Sequence, residues 1–84
     1  MSKLTDMKNI GKEMESKLTA VGIFTAEALT EVGSRDAFFR LKTIYPEVCL
    51  VHLYTLQAAI EGVEFNHLSE ETKHELKAFS DGLK

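Results

Sequence analysis

Helix breakers and caps cut this chain into short pieces, and that punctuation limits its fold more than any other feature. Gly11, Gly22, Gly33, Pro46 and Gly62 separate the apolar stretches, with Thr25, Ser34 and Ser69 placed as N-caps. Residues 2–7 read as a short opening turn. Ile10, Met14, Leu18 and Val21 then form one helical stripe over about residues 11–20, which Gly22 ends as a left-handed cap. A short helix opens at Thr25, carries Ala28, Leu29 and Val32 on its apolar side, and closes at Gly33. Ser34 is expected to cap the next helix, which buries Ala37, Phe38, Leu41 and Tyr45 and stops before Pro46.

Pro46 suits the first position of a following helix, about 46–61. That segment is apolar on nearly all faces and is expected at the centre. Val63 and Phe65 are expected to plug the core from the connector behind it. Ser69 caps a last, surface helix with Glu70 and Glu71 in its first turn and Thr72, Leu76 and Phe79 inward. The only β-like run, Thr43-Ile44-Tyr45, sits at a helix end. The prediction is an all-α fold, a compact array of four to five short helices. The first three are too short for an ordinary four-helix bundle.

Composition narrows the function classes. With 84 residues the chain makes one domain, with stability on the order of 5 kcal/mol and little room for a deep substrate cleft. A lone cysteine allows no intrachain disulfide and fits a reducing, cytoplasmic setting. The N-terminus lacks the apolar core of a signal peptide, and no apolar run is long enough to span a membrane. The net charge of −3 sits in residues 61–84, where Glu61, Glu64, Glu70, Glu71, Glu75 and Asp81 face Lys73, Lys77 and Lys84. That balance argues against promiscuous nucleic-acid binding and leaves room for a local basic patch.

Two basic spots are candidates for phosphate or DNA contact. Lys8, Asn9, Ile10, Gly11 and Lys12 make a tight turn into a helix, whose free N–H groups attract anions. Arg35 and Lys42 lie seven apart, on one helix face, with Arg40 across from them. The plainer readings are a helix start with exposed lysines and a solvated face. Cys49 and His52 stand at i, i+3, but zinc needs three or four ligands, and His67 and His74 have no supporting spacing. A buried thiol beside a rim histidine is expected. No nucleophile–base–oxyanion set is present, and Glu70 and Glu71 are explained by their helix start. No catalytic, metal or cofactor residue is therefore expected. Phe24 and Phe39 fall off the main apolar stripe of their loop or helix and are the candidate partner contacts.

Three stretches together resemble the C-terminal domain of the TfoX/Sxy competence regulators of bacteria. They are Asn9-Ile10-Gly11 with Leu18, Val21-Gly22-Ile23 and Thr25; Gly33 with Ala37-Phe38 and Leu41; and Val48-Cys49-Leu50 with Leu53-Tyr54, Leu56, Ala59-Ile60, Gly62, Leu68 and Lys73. They span about residues 4–79, and the third is the most specific. Lys8 stands where the family pattern has proline, Gln57-Ala58 where it has Glu-Gly, and Phe65 where it has Trp. Asn9 replaces the first glycine of the usual hairpin motif, which weakens a phosphate grip. The resemblance implies a helix-hairpin-helix or SAM-like fold and no enzymatic activity. Regulators of this kind carry a larger N-terminal domain, for which 84 residues leave no room, so a single domain over residues 1–84 is expected to stand alone. The expected function is a regulatory interaction module binding a protein partner or, as a homodimer, itself. The alternative is nucleic-acid binding through residues 8–12 and the 35–42 helix. Neither a membrane nor a small-molecule substrate is expected.

Overall fold

Five α-helices form where the apolar stripes predict them. The computed structural model describes residues 2–83. A 3₁₀ turn, Leu4–Asp6, leads to α1 (Lys12–Ala20), α2 (Ala26–Val32), α3 (Ser34–Ile44) and α4 (Leu50–Glu61). A second 3₁₀ turn, Phe65–His67, precedes α5 (Glu70–Gly82). No strand occurs among the described residues.

Helix α4 is the central element. It packs against α2, α3, α5 and the second 3₁₀ turn. Leu53, Leu56, Ala58 and Ala59 are its buried residues. Around them the core collects Leu4, Ile10, Met14, Leu18, Ile23, Leu29, Ala37, Phe38, Leu41, Val48, Leu68 and Leu76. Each fully buried leucine contributes about 1.5–3 kcal/mol of transfer free energy.

Local chemistry sets the helix ends. At the end of α1, Ile23 N–H donates to Leu18 O at 2.9 Å and Gly22 N–H to Thr19 O at 3.1 Å. This paired closure needs Gly22 at φ +86° and brings Ile23 back over Leu18, both fully buried. Thr25 caps α2 by accepting from Ala28 N–H at 3.0 Å, and Ser69 caps α5 by accepting from Thr72 N–H at 3.1 Å. Glu27, in the first turn of α2, accepts from Ser2 N–H at 2.9 and 3.2 Å. Those bonds hold its carboxyl below the ordinary 4.5. The clasp is therefore present above that range and is lost as pH falls and the carboxylate protonates.

Three local expectations need correction. Ser34 is not a cap. Gly33, at φ +90° and ψ 156°, is both the end of α2 and the N-cap of α3. Ser34 becomes the first helical residue and turns inward, where its hydroxyl meets Gln57 Oε1 of α4 at 2.6 Å. Pro46 does not open α4. Val48 N–H donates to Tyr45 O at 3.0 Å, so Pro46 is the second residue of a β-turn, a position its fixed φ suits. The helix starts four residues later, with Cys49 as its N-cap. Phe65 does not plug the core. It lies in the second 3₁₀ turn and is 44% exposed, and Leu68 takes the buried position instead.

Asn9 ties the first hairpin to the far end of α4. Its backbone is left-handed, at φ 70°, and its side-chain amide donates to Val63 O at 2.9 Å. Asn tolerates that backbone better than other side-chain-bearing residues. Asn9→Gly should lose only the hydrogen bond, about 1 kcal/mol. Asn9→Ala should lose the bond and add a left-handed strain of roughly 1–2 kcal/mol. Urea unfolding of the two variants checks the order; equal losses would remove the backbone argument. Gly33→Ala should cost about 1–3 kcal/mol, because its region of φ/ψ belongs to glycine. No atom lies within 4 Å of the added Cβ, so the same measurement reads backbone strain without a clash.

Candidate interaction surface

The basic residues are spread over the molecule rather than gathered into a strip. Lys8 Nζ lies 3.7 Å from Glu64, just beyond the C-terminal end of α4. Lys42 Nζ donates to Val48 O at 2.8 Å, just before the N-terminal end of α4. The twelve residues of α4 set the ends apart by about 18 Å. Arg40 reaches back to Asp36 at 3.5 Å. Arg35 is exposed near the start of α3. Lys12 opens α1 and shares a shallow hollow with Lys3, Thr5, Ile10, Gly11 and Glu15. Ile10 is buried and Asn9 spends its amide on Val63, so the hairpin presents backbone and lysines rather than a polar side chain.

Apolar exposure is concentrated elsewhere. Phe39 is 52% exposed and Ile44 53%, and together with Val21, Arg40 and Thr43 they line one open hollow on α3 and the end of α1. Phe24, three residues after Val21, is 64% exposed. The one charged side chain in the hollow, Arg40, is offset by Asp36 one turn earlier. Both aromatics singled out from sequence thus stand on the surface. Ile44 was not foreseeable from spacing. It lies seven residues after buried Ala37, on the same helical face, but α3 ends there and its final turn runs past the core. Val51, on α4, is a second isolated apolar residue, 54% exposed beside Met14 and Thr55.

Cys49 is exposed, not buried as its apolar neighbours suggest. N-cap position explains this, because the chain is still extended there and only the next residue enters the helix. Cys49 N–H donates to His52 Nδ1 at 3.1 Å, and Sγ lies 3.5 Å from the same nitrogen. The histidine therefore closes a capping arrangement in which Nδ1 accepts from the Cys49 backbone. Among the described residues no three His, Cys, Asp or Glu gather as metal ligands. Among the described residues no helix is long and apolar enough to cross a membrane.

The fold and its sequence have clear relatives. A crystal structure of an uncharacterized protein from Listeria monocytogenes, in a triclinic form, is 39% identical with a TM-score of 0.95, covering 98% of this chain and 93% of that one. A tetragonal form of a Listeria monocytogenes protein of unknown function is also 39% identical, with a TM-score of 0.94, over 98% of this chain and 100% of that one. Among curated proteins none matches. The family profile described as the TfoX C-terminal domain matches residues 1–80. The chain therefore belongs to the TfoX C-terminal domain family.

Proposed function

We propose that this domain is a non-enzymatic, cytoplasmic regulatory module that docks a protein, or a second copy of itself, through the face formed by Val21, Phe39 and Ile44, with exposed Phe24 as a further candidate contact. The observation that carries this reading is that two exposed large apolar side chains, Phe39 and Ile44, share one hollow on a domain that buries most of its others. Isolated exposed hydrophobics need no explanation, but clustered ones mark interaction sites. Phe39 is the natural anchor, because a rigid aromatic in a hollow contributes most of the energy of a small interface. Family membership supports a regulatory role.

The nucleic-acid reading has less support. It needs Lys8 and Lys42 to act together, and the two stand at opposite ends of α4 with Glu64 and Val48 as their partners. The remaining cations, Arg35 and Lys12, lie on different helices.

Two measurements test the reading. A photo-crosslinking phenylalanine analogue at position 39, in living cells, should give a protein adduct, and the same analogue at exposed Glu71 should give none. Absence of an adduct at 39 overturns the proposal. Labelled duplex and single-stranded DNA should show no micromolar binding at low salt. Binding that falls steeply with salt and is abolished by Lys8→Glu with Lys12→Glu would instead establish the phosphate-contact alternative.

A further inference from the structure

Helix α3 has two faces. Ser34, Ala37, Phe38 and Leu41 are its buried residues. Asp36, Phe39, Arg40 and Thr43 follow one another at i, i+3, i+4 and i+7, so they form one stripe on the opposite side. All four are exposed, so no other element covers the stripe. Ile44 stands one turn after Arg40 at its edge, where Val21 from the end of α1 completes the apolar hollow.

The charges on this stripe are ordered. Asp36 is its one anion and Arg40, one turn later, its one cation, so the stripe is neutral, negative toward the start of α3 and positive toward the end. Within the chain the two meet at 3.5 Å, longer than a good charge-assisted hydrogen bond of about 2.7–2.9 Å. A half-turn about an axis crossing α3 midway between them, level with Phe38, maps this pattern onto its own complement. It lays a second α3 antiparallel on the first and sets each Asp36 level with the partner's Arg40. It also brings the two Phe39 side chains within about 3 Å of each other along the helix axis, close enough for an aromatic pair. An anion and a cation placed evenly about an axis, with an aromatic beside it, are the features of a self-complementary surface.

We infer that the occupant of the apolar face is a second copy of this chain, seated α3 against α3 in antiparallel about that twofold axis. The inference rests on the docking reading given above and selects one partner for it. Phe39 supplies the apolar centre, and the two Asp36–Arg40 pairs, shared across the axis, fix orientation and register. Two copies of net charge −3 can meet here because the stripe itself is neutral, while Glu70, Glu71 and Glu75 stand on α5, which packs on α4. The eleven residues of α3 make it about 16 Å long. A contact confined to it lies at the small end of specific interfaces, below about 1,200 Å² in total, so the dimer is weak and reversible.

Sedimentation equilibrium of the whole chain, from about 5 µM to about 1 mM, should show a reversible monomer–dimer transition with Kd of about 10–100 µM. Phe39→Ala should weaken it about thirtyfold, as loss of a central aromatic anchor does. Asp36→Arg makes the stripe doubly positive and Arg40→Asp makes it doubly negative, so each variant alone should stay monomeric. Both substitutions in one chain invert the pattern and should restore the dimer. An equal mixture of the two single variants should restore it too, because every pair across the axis is then of unlike charge. A chain that stays monomeric up to about 1 mM overturns the inference. So does a dimer that is indifferent to Phe39→Ala and to the charge exchanges, since it would form on another face. The docking reading is judged separately by the photo-crosslinker at position 39. An adduct with a different protein, from a chain that sediments as a monomer, overturns the second copy and leaves the docking reading standing; no adduct of any kind overturns both.

Discussion

Burial of α4 is the constraint on which the rest of the structure depends. A chain of 84 residues can surround only one helix with others, and α4, packed on α2, α3, α5 and the second 3₁₀ turn, is that helix. Leu53 and Leu56 fill the space toward its neighbours, and Ala58 and Ala59 let the adjoining chain approach closely. Three side chains tie other segments back to α4 or its flanks. Asn9 does so through Val63, Ser34 through Gln57, and Lys42 through Val48 at the turn that precedes it. These are side-chain bonds to groups that would otherwise lie partly buried and unpaired. Each orients one short helix that has too few residues to hold itself.

That dependence explains what was legible in the sequence. Periodicity located α1, α3 and α5, because an apolar stripe needs one buried side wherever the helix sits. Gly22, Thr25 and Ser69 were readable because their work is done within four residues of themselves. Ser34 and Pro46 were misplaced for a shared reason. Each is locally competent for the role assigned, and in each a neighbour wins. Gly33 adopts a backbone that no other residue takes readily, which moves Ser34 into the helix and frees its hydroxyl for Gln57. The Tyr45–Val48 turn uses Pro46 first, and α4 starts only after the chain has turned. Phe65 shows the limit of counting aromatics toward a core, since a 3₁₀ turn can aim only some of its residues inward and Leu68 is better placed.

The candidate surfaces divide in the same way. Phe24 and Phe39 were visible as residues off the stripe. Ile44 was not, because its spacing from Ala37 says which side of α3 it occupies and nothing about where the core stops. The basic residues taught the opposite lesson. Lys8, Lys12, Arg35 and Lys42 belong together only in one dimension. In the fold, Glu64 stands against Lys8 and Lys42 reaches a backbone carbonyl. Exposed pairs such as Lys8–Glu64 contribute little stability, about 0–1 kcal/mol. Their effect is to distribute the positive charge, so no broad field remains for a polyanion to follow.

Helix α3 carries the apolar face and is tied to α4 at its last turn. Phe39, Thr43 and Ile44 line the apolar face, and Lys42, between them in sequence, reaches toward the start of α4. Its ammonium bonds the carbonyl of Val48, which is fully buried two residues before α4 begins. The last turn of α3 is therefore fixed from one side by the core and by that single bond. In a domain with stability of only several kcal/mol, one hydrogen bond of about 1 kcal/mol is a large share of what orders a helix end.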